Sequence, residues 1–420
     1  MVYKEKIKRF LGYKNIRKIK TVLALKKHII AVFRGNKNKL TYNKTFFDNV
    51  TELNIKNKHV FFGYYDIYQL NKTGDKALIH ILDRKAVAGK DRVQIAIYDL
   101  KTKKIENIST SLAWSWQQGS RLRWHPLLSN VVLFNDFDGS KYVTRFFDIN
   151  KKEIVDTVSM AMYDIASDGE HALSLDFDDL QRLRPGYGYS CSLHNKSNKS
   201  NGIFLWSKKE NEITKIIELD ELIKKTEVQG AKHYLNHISI SPSGEKFIFF
   251  HLWSFGLGTK WGMRLYICNI DGTDLKCVES KETISHYCWN SDNTLLLTAL
   301  SNDNEKHDKY ILYDLHSDKK TILESKFLKR DGHPTFVDDK NSFVTDTYPQ
   351  KDCLQKVFYY NIKDDKYIEL ISVYSNPYLI DEYRCDLHPR VDIKNNCISI
   401  DTTYRGLRSV IFFHKDGDVQ

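Results

Sequence analysis

Short apolar and aromatic runs, each ended by a polar turn, follow one another from about residue 59 to the end of the chain. One recurring form is an aromatic strand, a turn around Asp or Asn, and a second strand. A second hairpin with its own turn precedes most copies of this form. Examples are IYDLKTKKI (97–105), FFDINKKEI (146–154), YICNIDGTDLKCV (266–278), YILYDLHSDKKTIL (310–323) and VFYYNIKDDKYIEL (357–370). Two hairpins make four antiparallel strands, and their recurrence predicts the blades of a β-propeller.

Seven such units can be counted, so the pattern predicts an all-β fold, a seven-bladed β-propeller over residues 39–420. The last unit holds strand patterns for only three strands, and an unpaired outer edge would be left exposed. We expect residues 39–55 to supply the fourth strand. The seven units cover residues 59–110, 115–159, 161–222, 234–281, 284–325, 331–373 and 382–416.

Residues 1–38 form a separate tail with a different pattern. Residues 1–40 carry 13 Lys or Arg and a single acid, Glu5, and so account for all of the chain's net charge of +11. Apolar residues recur in this tail at loosely helical spacing, which predicts a basic amphipathic helix. Such a helix suits peripheral contact with an anionic membrane surface, while a solvated basic arm is the alternative. The rest of the chain adds no basic patch with stacking aromatics, so we expect no nucleic-acid partner.

Cysteine usage and hydropathy indicate a soluble protein of a reducing compartment. The seven cysteines form no CxxC arrangement, which makes a disulfide framework or a zinc ribbon unexpected. The most apolar stretch, TVLALKKHIIAVF, is interrupted by two lysines and a histidine and is followed by no cleavage site for a secretory signal. We therefore expect a cytoplasmic location, with the tail at the inner face of the membrane if it binds lipid.

Histidines stand at one equivalent position in four consecutive units. His237, His286, His333 and His388 each lie seven residues before the turn that follows the innermost strand. Equivalent positions of the innermost strands ring one mouth of a propeller channel, so we expect the four imidazoles to converge there. The structural alternative is that each histidine caps the turn of its own blade.

The second strand of each unit and the long loops beyond it return to the same mouth. They add a second histidine, His251, and a set of cationic and aromatic side chains. Arginines suit an anionic ligand, and aromatic rings stack on sugar faces, so the set predicts an anionic oligo- or polysaccharide as partner. The predicted substrate-binding residues are Arg184, Tyr187, Trp253, Trp261, Tyr348 and Arg405.

A divalent metal is also predicted at this mouth. His286, His333 and His388 offer three nitrogens, and Asp386, expected on the same strand face as His388, offers an oxygen. Such a donor set is compatible with Mn²⁺ or Zn²⁺. Because these residues are far apart along the chain, the prediction depends wholly on the alignment of the blades.

Several strings resemble the seven-bladed polysaccharide lyases, chiefly the oligogalacturonate lyases: NHISISPSG, FFHLW, WGMRLYICNIDGT, SHYCWNSDN, GHPTFVDDKNSFVTDTYP and LHPRVDIKNNCISIDTTYRG. The strings RPGYGY and WQQGSRLRW are closer to the ulvan lyases. This resemblance covers most of residues 59–416. It implies β-elimination on a uronate polysaccharide, with a histidine base, an arginine beside the carboxylate and a metal.

The resemblance assigns roles to particular residues. It implies His237 or His251 as the base, Arg264 as the partner of the carboxylate and Tyr189 as the acid. His286 and His333 match metal ligands of the family. Where the oligogalacturonate lyases have a Gln-x-x-His-x-His run, this chain has Tyr383, Asp386 and His388.

Two other functions remain open from the residues alone. Hydrolysis would use two carboxyl groups across the scissile bond, and the predicted mouth also carries aspartates. A lyase-like propeller could instead bind a capsule or other surface polysaccharide beside its assembly, without cleaving it. The five candidate carboxylates are Asp136, Asp176, Asp178, Asp346 and Asp401.

Overall fold

The computed structural model describes residues 2–191, 201–226, 228–257, 259, 261–302, 305–337 and 341–415, and their side chains from residue 15 onward. Within this range the chain divides into two compact units. Unit 1 comprises Met1–Ile19, Val87–Arg92 and Thr110–Thr283. Unit 2 comprises Lys20–Ala86, Val93–Ser109 and Ile284–Gln420. None of the helices in the described part of the chain is long and apolar enough to cross a membrane.

The regular elements follow in chain order. The first are helix α1 (Val2–Phe33) and strands β1 (Leu40–Tyr42), β2 (Asn49–Leu53), β3 (Lys58–Phe61), β4 (Lys76–Asp83), β5 (Val93–Asp99) and β6 (Ile105–Ser111). Next are β7 (Arg123–Trp124), β8 (Val131–Phe137), β9 (Tyr142–Asp148), β10 (Glu153–Val158), β11 (Asp164–Ile165), β12 (His171–Ser174), α2 (Phe177–Leu183), β13 (Gly202–Ser207), β14 (Glu212–Glu218) and α3 (Leu219–Lys224). Then come β15 (Lys232–Ile240), β16 (Lys246–Ser254), β17 (Trp261–Asn269), β18 (Lys276–Glu279), β19 (Thr283–Ser291), β20 (Thr294–Leu300), β21 (Lys309–Asp314) and β22 (Lys319–Ile322). The last are β23 (Thr335–Phe336), β24 (Ser342–Asp346), β25 (Leu354–Asn361), β26 (Lys366–Tyr374), the 3₁₀ turn Asp381–Tyr383, β27 (Arg390–Asp392), β28 (Cys397–Thr402) and β29 (Ser409–His414).

These strands form seven antiparallel sheets of a seven-bladed β-propeller, as the sequence predicts. The sheets β7–β10, β11–β14 and β15–β18 lie in unit 1. The sheets β3–β6 and β19–β22 lie mainly in unit 2, together with two sheets completed by strands from the start of the chain. The predicted helix in the basic tail is also present as α1.

The segment 39–55 contributes an outer strand to two different sheets of unit 2. Strand β2 pairs with β29 in the register Asn49↔His414 to Leu53↔Val410 and is the fourth strand of the last sheet. Strand β1 pairs with β26 and makes a fifth strand of the preceding sheet. The sequence predicts that residues 39–55 supply the fourth strand of the last sheet, and β2 does so. It does not predict β1.

Burial across each sheet explains the apolar runs. The second strands are buried on both faces: β4 is covered at six consecutive positions, and in β16 seven of nine residues are buried. Strands covered on both faces read as continuous apolar runs rather than as alternating ones. The outermost strands β10 and β22 are mostly exposed.

The second half of α1 is not a free arm. From residue 20 onward the helix belongs to unit 2, where Ala31 is fully buried in a cluster that includes Leu354 and Tyr374. Gly35, just beyond the end of the helix, has φ of +65°, and the N–H of Asn36 donates to the carbonyl of Ala31 at 2.8 Å. This is a Schellman end, in which glycine accepts the left-handed conformation at little cost.

Candidate functional site

Three of the predicted metal ligands meet within unit 2. His333, Asp386 and His388 each offer one ligand atom, and these three atoms lie within 4.8 Å of one another. All three residues are buried. Asp386 and His388 lie in the irregular segment before β27, and His388 has φ of +45°, so the expectation that they share a strand face is wrong. The segment itself brings the two side chains together.

The two imidazoles of this group are oriented by bonds at Nδ1. Nδ1–H of His333 donates to Oδ1 of Asp346 at 2.8 Å, and Nδ1–H of His388 donates to the carbonyl of Gly63 at 2.9 Å. Both Nε2 atoms are buried and have no hydrogen-bond partner among the described residues. A histidine that donates through Nδ1 keeps the Nε2 lone pair for a metal, and metal-binding histidines are usually held in this way.

Asp346 also holds the backbone of both histidines. Its Oδ1 also accepts from the backbone N–H of His333 at 2.9 Å, and its Oδ2 accepts from the backbone N–H of His388 at 3.2 Å. Gly63 is held in turn by Asp401, whose Oδ2 accepts from the Gly63 N–H at 3.0 Å. The two histidines are thus positioned by two carboxylates, directly by Asp346 and, through Gly63, by Asp401.

The third ligand residue, Asp386, is paired with an arginine. Arg384 donates from Nη2 to Oδ2 of Asp386 at 2.6 Å and from Nε to Oδ1 at 2.8 Å. Burial by itself raises the pKa of Asp386, but the Arg384 guanidinium and the histidines outweigh burial and hold the pKa below its usual value. The carboxylate is therefore charged, which suits a metal ligand.

His286 lies beside this group but is not part of it. Its ring centroid is 4.1 Å from that of His333, and its Nδ1 is 3.2 Å from Oδ1 of Asp331. Burial and the neighbouring His333 lower its pKa. The group of ligand atoms found among the described residues does not include His286, so its predicted role as a fourth ligand stays a prediction.

Aromatic rings surround the same imidazoles. The Tyr64 ring lies 4.7 Å from that of His388, and the Tyr65 ring lies 5.2 Å from that of His333. The predicted ligand-binding residue Tyr348 is 5.6 Å from His333, and the guanidinium of Arg384 lies 5.0 Å from the Tyr348 ring. The sequence reasoning missed Tyr64, Tyr65 and Arg384. The string FGYYD, which follows β3 directly, was the available signal for the tyrosines.

A second group of predicted residues meets within unit 1. The guanidinium of Arg184 lies 4.8 Å from the Tyr187 ring and 5.5 Å from the Trp261 ring. Burial lowers the pKa of Arg184, but the Tyr187 and Tyr234 hydroxyls outweigh it and raise the pKa. No carboxylate pairs with Arg184 among the described residues, and its buried Nε has no partner there. A partly buried cation without an acidic partner is the expected feature of an anion-binding site.

His237 joins the Arg184 group through Tyr187, from which its ring is 6.0 Å away. It occupies a bulge of β15, between Asn236 and Ser239, with φ of +53°. A left-handed conformation is strained for histidine and tends to persist where a side chain must be aimed at a functional site.

His251 and Arg264 lie on the opposite face of the same sheet. His251 pairs directly with Arg264, whereas the His237 ring contacts Phe250, the neighbouring residue of β16. Successive residues of a strand point to opposite faces, so the sheet separates the two predicted bases. Nε2 of His251 lies 3.0 Å from Nδ1 of His233, and burial, His233 and Arg264 lower the pKa of His251 to about 3.

The remaining predicted residues have identifiable contacts. Trp253 lies on the His251 face, 5.6 Å from that ring. Arg264 donates to the carbonyl of Lys225 at 2.6 Å. Arg405 is mostly exposed, donates to the Tyr404 hydroxyl and pairs with Glu52 at 3.1 Å.

Tyr189 is fully buried and has the contacts of a packing residue. Its ring stacks on Phe177 at 4.4 Å, and its hydroxyl accepts from Nδ2 of Asn135 at 2.9 Å. Burial raises its pKa. This burial argues against the predicted role of Tyr189 as proton donor, because no solvent-facing part of the side chain remains for a substrate.

Comparison with known proteins gives a fold but no sequence family. No protein-family model matches the chain, and no curated protein matches it. Among solved structures, an oligogalacturonate lyase in complex with manganese matches with a TM-score of 0.62 at 14% identity, over 90% of this chain and 98% of that one. An oligogalacturonate lyase from Vibrio parahaemolyticus matches with a TM-score of 0.61 at 11% identity, over 90% of this chain and 96% of that one.

The chain has the fold of the oligogalacturonate lyases. The resemblance seen in the sequence is thereby confirmed for the fold, and the likeness to ulvan lyases stays a prediction. At identities of 11–14% the match carries the architecture alone. The chemistry depends on the side chains at the site.

Proposed function

We propose that the protein is a metal-dependent lyase that cleaves a uronate-containing oligo- or polysaccharide by β-elimination. The observation that carries this proposal is the pair of buried Nε2 atoms of His333 and His388, which have no partner in the described part of the chain and lie beside the Asp386 carboxylate. The fold, shared with a lyase solved in complex with manganese, supports the same function.

His333, Asp386 and His388 fit a divalent ion. Two imidazole nitrogens and one carboxylate oxygen suit Mn²⁺ or Zn²⁺. A bound ion there supplies positive charge against an anionic sugar. The chain's own part is to hold both imidazoles in the tautomer that leaves Nε2 unprotonated, which the bonds to Asp346 and Gly63 do.

Elimination also needs a cation at the uronate carboxylate, because charge develops there when the proton on the adjacent carbon leaves. We assign this role to Arg184 in place of Arg264. Arg184 has no acidic partner among the described residues and is enclosed by Tyr187 and Trp261, whereas Arg264 already donates to a backbone carbonyl.

The base that removes this proton is assigned to His237. It is grouped with Arg184 through Tyr187 and is held in a strained bulge. His251 is the weaker candidate, because its Nε2 is bonded to His233 and it lies on the other face of the sheet. The base reaches this proton directly or through one water. As the proton leaves, the bond from the β-carbon to the glycosidic oxygen breaks, and that oxygen takes up a proton from the protonated base or from water.

The proposed ligand is an anionic oligo- or polysaccharide in the cytoplasm. It is either an imported fragment that the protein degrades or a capsule-type polymer near its site of assembly. The Trp261 and Tyr187 rings beside Arg184 are suited to stacking on sugar faces.

The test is an elimination assay with Mn²⁺ on polygalacturonate and on ulvan. Elimination creates a conjugated unsaturated uronate, which is followed by its ultraviolet absorbance, whereas hydrolysis creates none. We expect His237→Gln and Arg184→Gln to lower the rate by about 10²-fold or more. The matched variant Arg34→Gln, at an exposed arginine just after α1, should retain it.

Absence of unsaturated product from every uronate polymer, with retained binding on a glycan array, would overturn the catalytic proposal. It would favour a binding or scaffold protein instead. Full activity of Arg184→Gln together with loss in Arg264→Gln would reverse the assignment of the carboxylate site.

A further inference from the structure

The outward face of α1 carries a stripe of apolar side chains. Val22, Leu25, Ile29 and Phe33 are 68, 50, 46 and 87% exposed. Their spacing of three, four and four residues places them in one row along the helix. We call these four residues the outer stripe. Single exposed apolar residues are ordinary on protein surfaces, but a continuous row of them marks an interaction surface.

The outer stripe cannot turn inward, because the opposite face of the helix is fixed to unit 2. Ala31 is fully buried in the cluster with Leu354 and Tyr374. Lys20 forms an ion pair with Asp381, and Nδ1 of His28 lies 3.2 Å from the Tyr374 hydroxyl. Ala24 and Ala31 lie close to 180° around the helix from Val22 and Ile29, so packing one pair exposes the other.

Positive charge accompanies the stripe. Lys26 is exposed and borders it, four positions after Val22 and seven before Phe33. Arg34, Lys37 and Lys39 follow directly and are exposed as well. Residues 15–47 contain no aspartate or glutamate. A partner of this face must therefore accept apolar side chains and lysines together.

We propose that the outer stripe of α1 docks on the surface of an anionic lipid membrane, with the helix parallel to the membrane plane. Exposed apolar residues enter the boundary between headgroups and acyl chains, and lysines bind the anionic headgroups. A second copy of the chain is disfavoured as occupant, because pairing two such faces would bring like charges together. The inference is independent of the proposed lyase function.

The test is flotation of the full chain with vesicles, either of phosphatidylcholine alone or of phosphatidylcholine with phosphatidylglycerol. We expect binding to the anionic vesicles only. The double variant Val22→Gln/Ile29→Gln should lower binding at least about tenfold, because each apolar side chain loses the gain from burial. Lys26→Gln should lower it about fivefold, the value of one lysine near an anionic surface.

A matched control is Val155→Gln/Ile393→Gln, which removes one valine and one isoleucine of similar exposure, 42 and 52%, elsewhere on the surface. It should leave binding unchanged. The melting temperature of every variant should stay close to wild type, since all replaced side chains are exposed.

Three outcomes would overturn the proposal. The first is equal binding to both kinds of vesicle, and the second is equal loss of binding in the control variant. The third is a dimer in sedimentation velocity that Val22→Gln/Ile29→Gln converts to monomer, which would show that a second copy covers the stripe.

Discussion

Asp346→Asn tests whether the candidate metal centre depends on the residue that orients its histidines. The carboxylate accepts three hydrogen bonds: the N–H and the Nδ1–H of His333 at Oδ1, and the N–H of His388 at Oδ2. An asparagine offers one acceptor oxygen and one NH₂ group. Whichever way the amide is turned, at least one of these buried N–H groups faces another donor.

The expected size of the effect follows from burial. Asp346 is 1% exposed, so a donor that loses its acceptor there finds no water to replace it. Each such donor costs about 1–3 kcal/mol, and the free energy of unfolding should fall by that amount. Loss of the residue that orients a metal-binding histidine typically lowers metal affinity about 10–100-fold. That corresponds to roughly 1.4–2.7 kcal/mol of binding free energy.

Titration calorimetry with Mn²⁺ measures the affinity, and chemical denaturation without metal measures the stability. Asp83→Asn is the control, because Asp83 is 79% exposed and forms a surface ion pair with Lys58. Such pairs contribute about 0–1 kcal/mol, so this variant should keep both properties.

Two results would refute the reasoning. Unchanged Mn²⁺ affinity in Asp346→Asn would show that the orientation of the histidines does not matter for a metal. Wild-type protein that binds no Mn²⁺ or Zn²⁺ would show that the imidazoles only cap their own turns.

Three further predictions concern other sites. Burial lowers the pKa of His80 to about 3. Below pH 6.5 the unfolded chain therefore takes up a proton that the folded chain does not, and the free energy of unfolding falls as the pH drops. In denaturation curves His80→Asn should lose less stability than wild type between neutral pH and about pH 4. Leu53→Ala should lower the free energy of unfolding by about 2–4 kcal/mol, because Leu53 is buried where β2 completes the last sheet. The control Ile393→Ala, on the surface, should lower it by less than about 0.5 kcal/mol. Equal losses in the two variants would contradict a structural role of β2. His286→Gln should retain more Mn²⁺ affinity in calorimetry than His388→Gln, since only His388 belongs to the group of ligand atoms.

The repeated pattern of strands and turns in the sequence predicts the propeller fold correctly. The turn-and-strand repeat predicts seven four-stranded sheets. The described residues form seven sheets, six of four strands and one of five. It also predicts that residues 39–55 supply an outer strand, and β2 pairs with β29. The pattern missed β1, because three residues with intermediate or exposed side chains leave no signature in the sequence.

The site was predictable in part. The register of the blades selects His333 and His388, because equivalent strand positions repeat in space as well as in sequence. The same register selects His237 and His286. The resemblance to the lyases leaves His237 and His251 as alternatives for the base, and no sequence argument separates them. The bulge at His237 shifts the strand by a residue, and sheet faces are set by such shifts.

The sequence by itself determined the repeat, the basic helix and the residue types available for a metal and an anionic sugar, because these follow from periodicity and composition within short segments. Tertiary structure alone decided that Nε2 of His333 and Nε2 of His388 have no partner among the described residues, since folding brings Asp346 and Gly63 to the two Nδ1 atoms. It also decided that Arg184 has no acidic partner among the described residues and that the outer stripe of α1 faces outward. Hydrogen bonds and burial depend on residues that folding brings together, and the sequence does not show which residues these are.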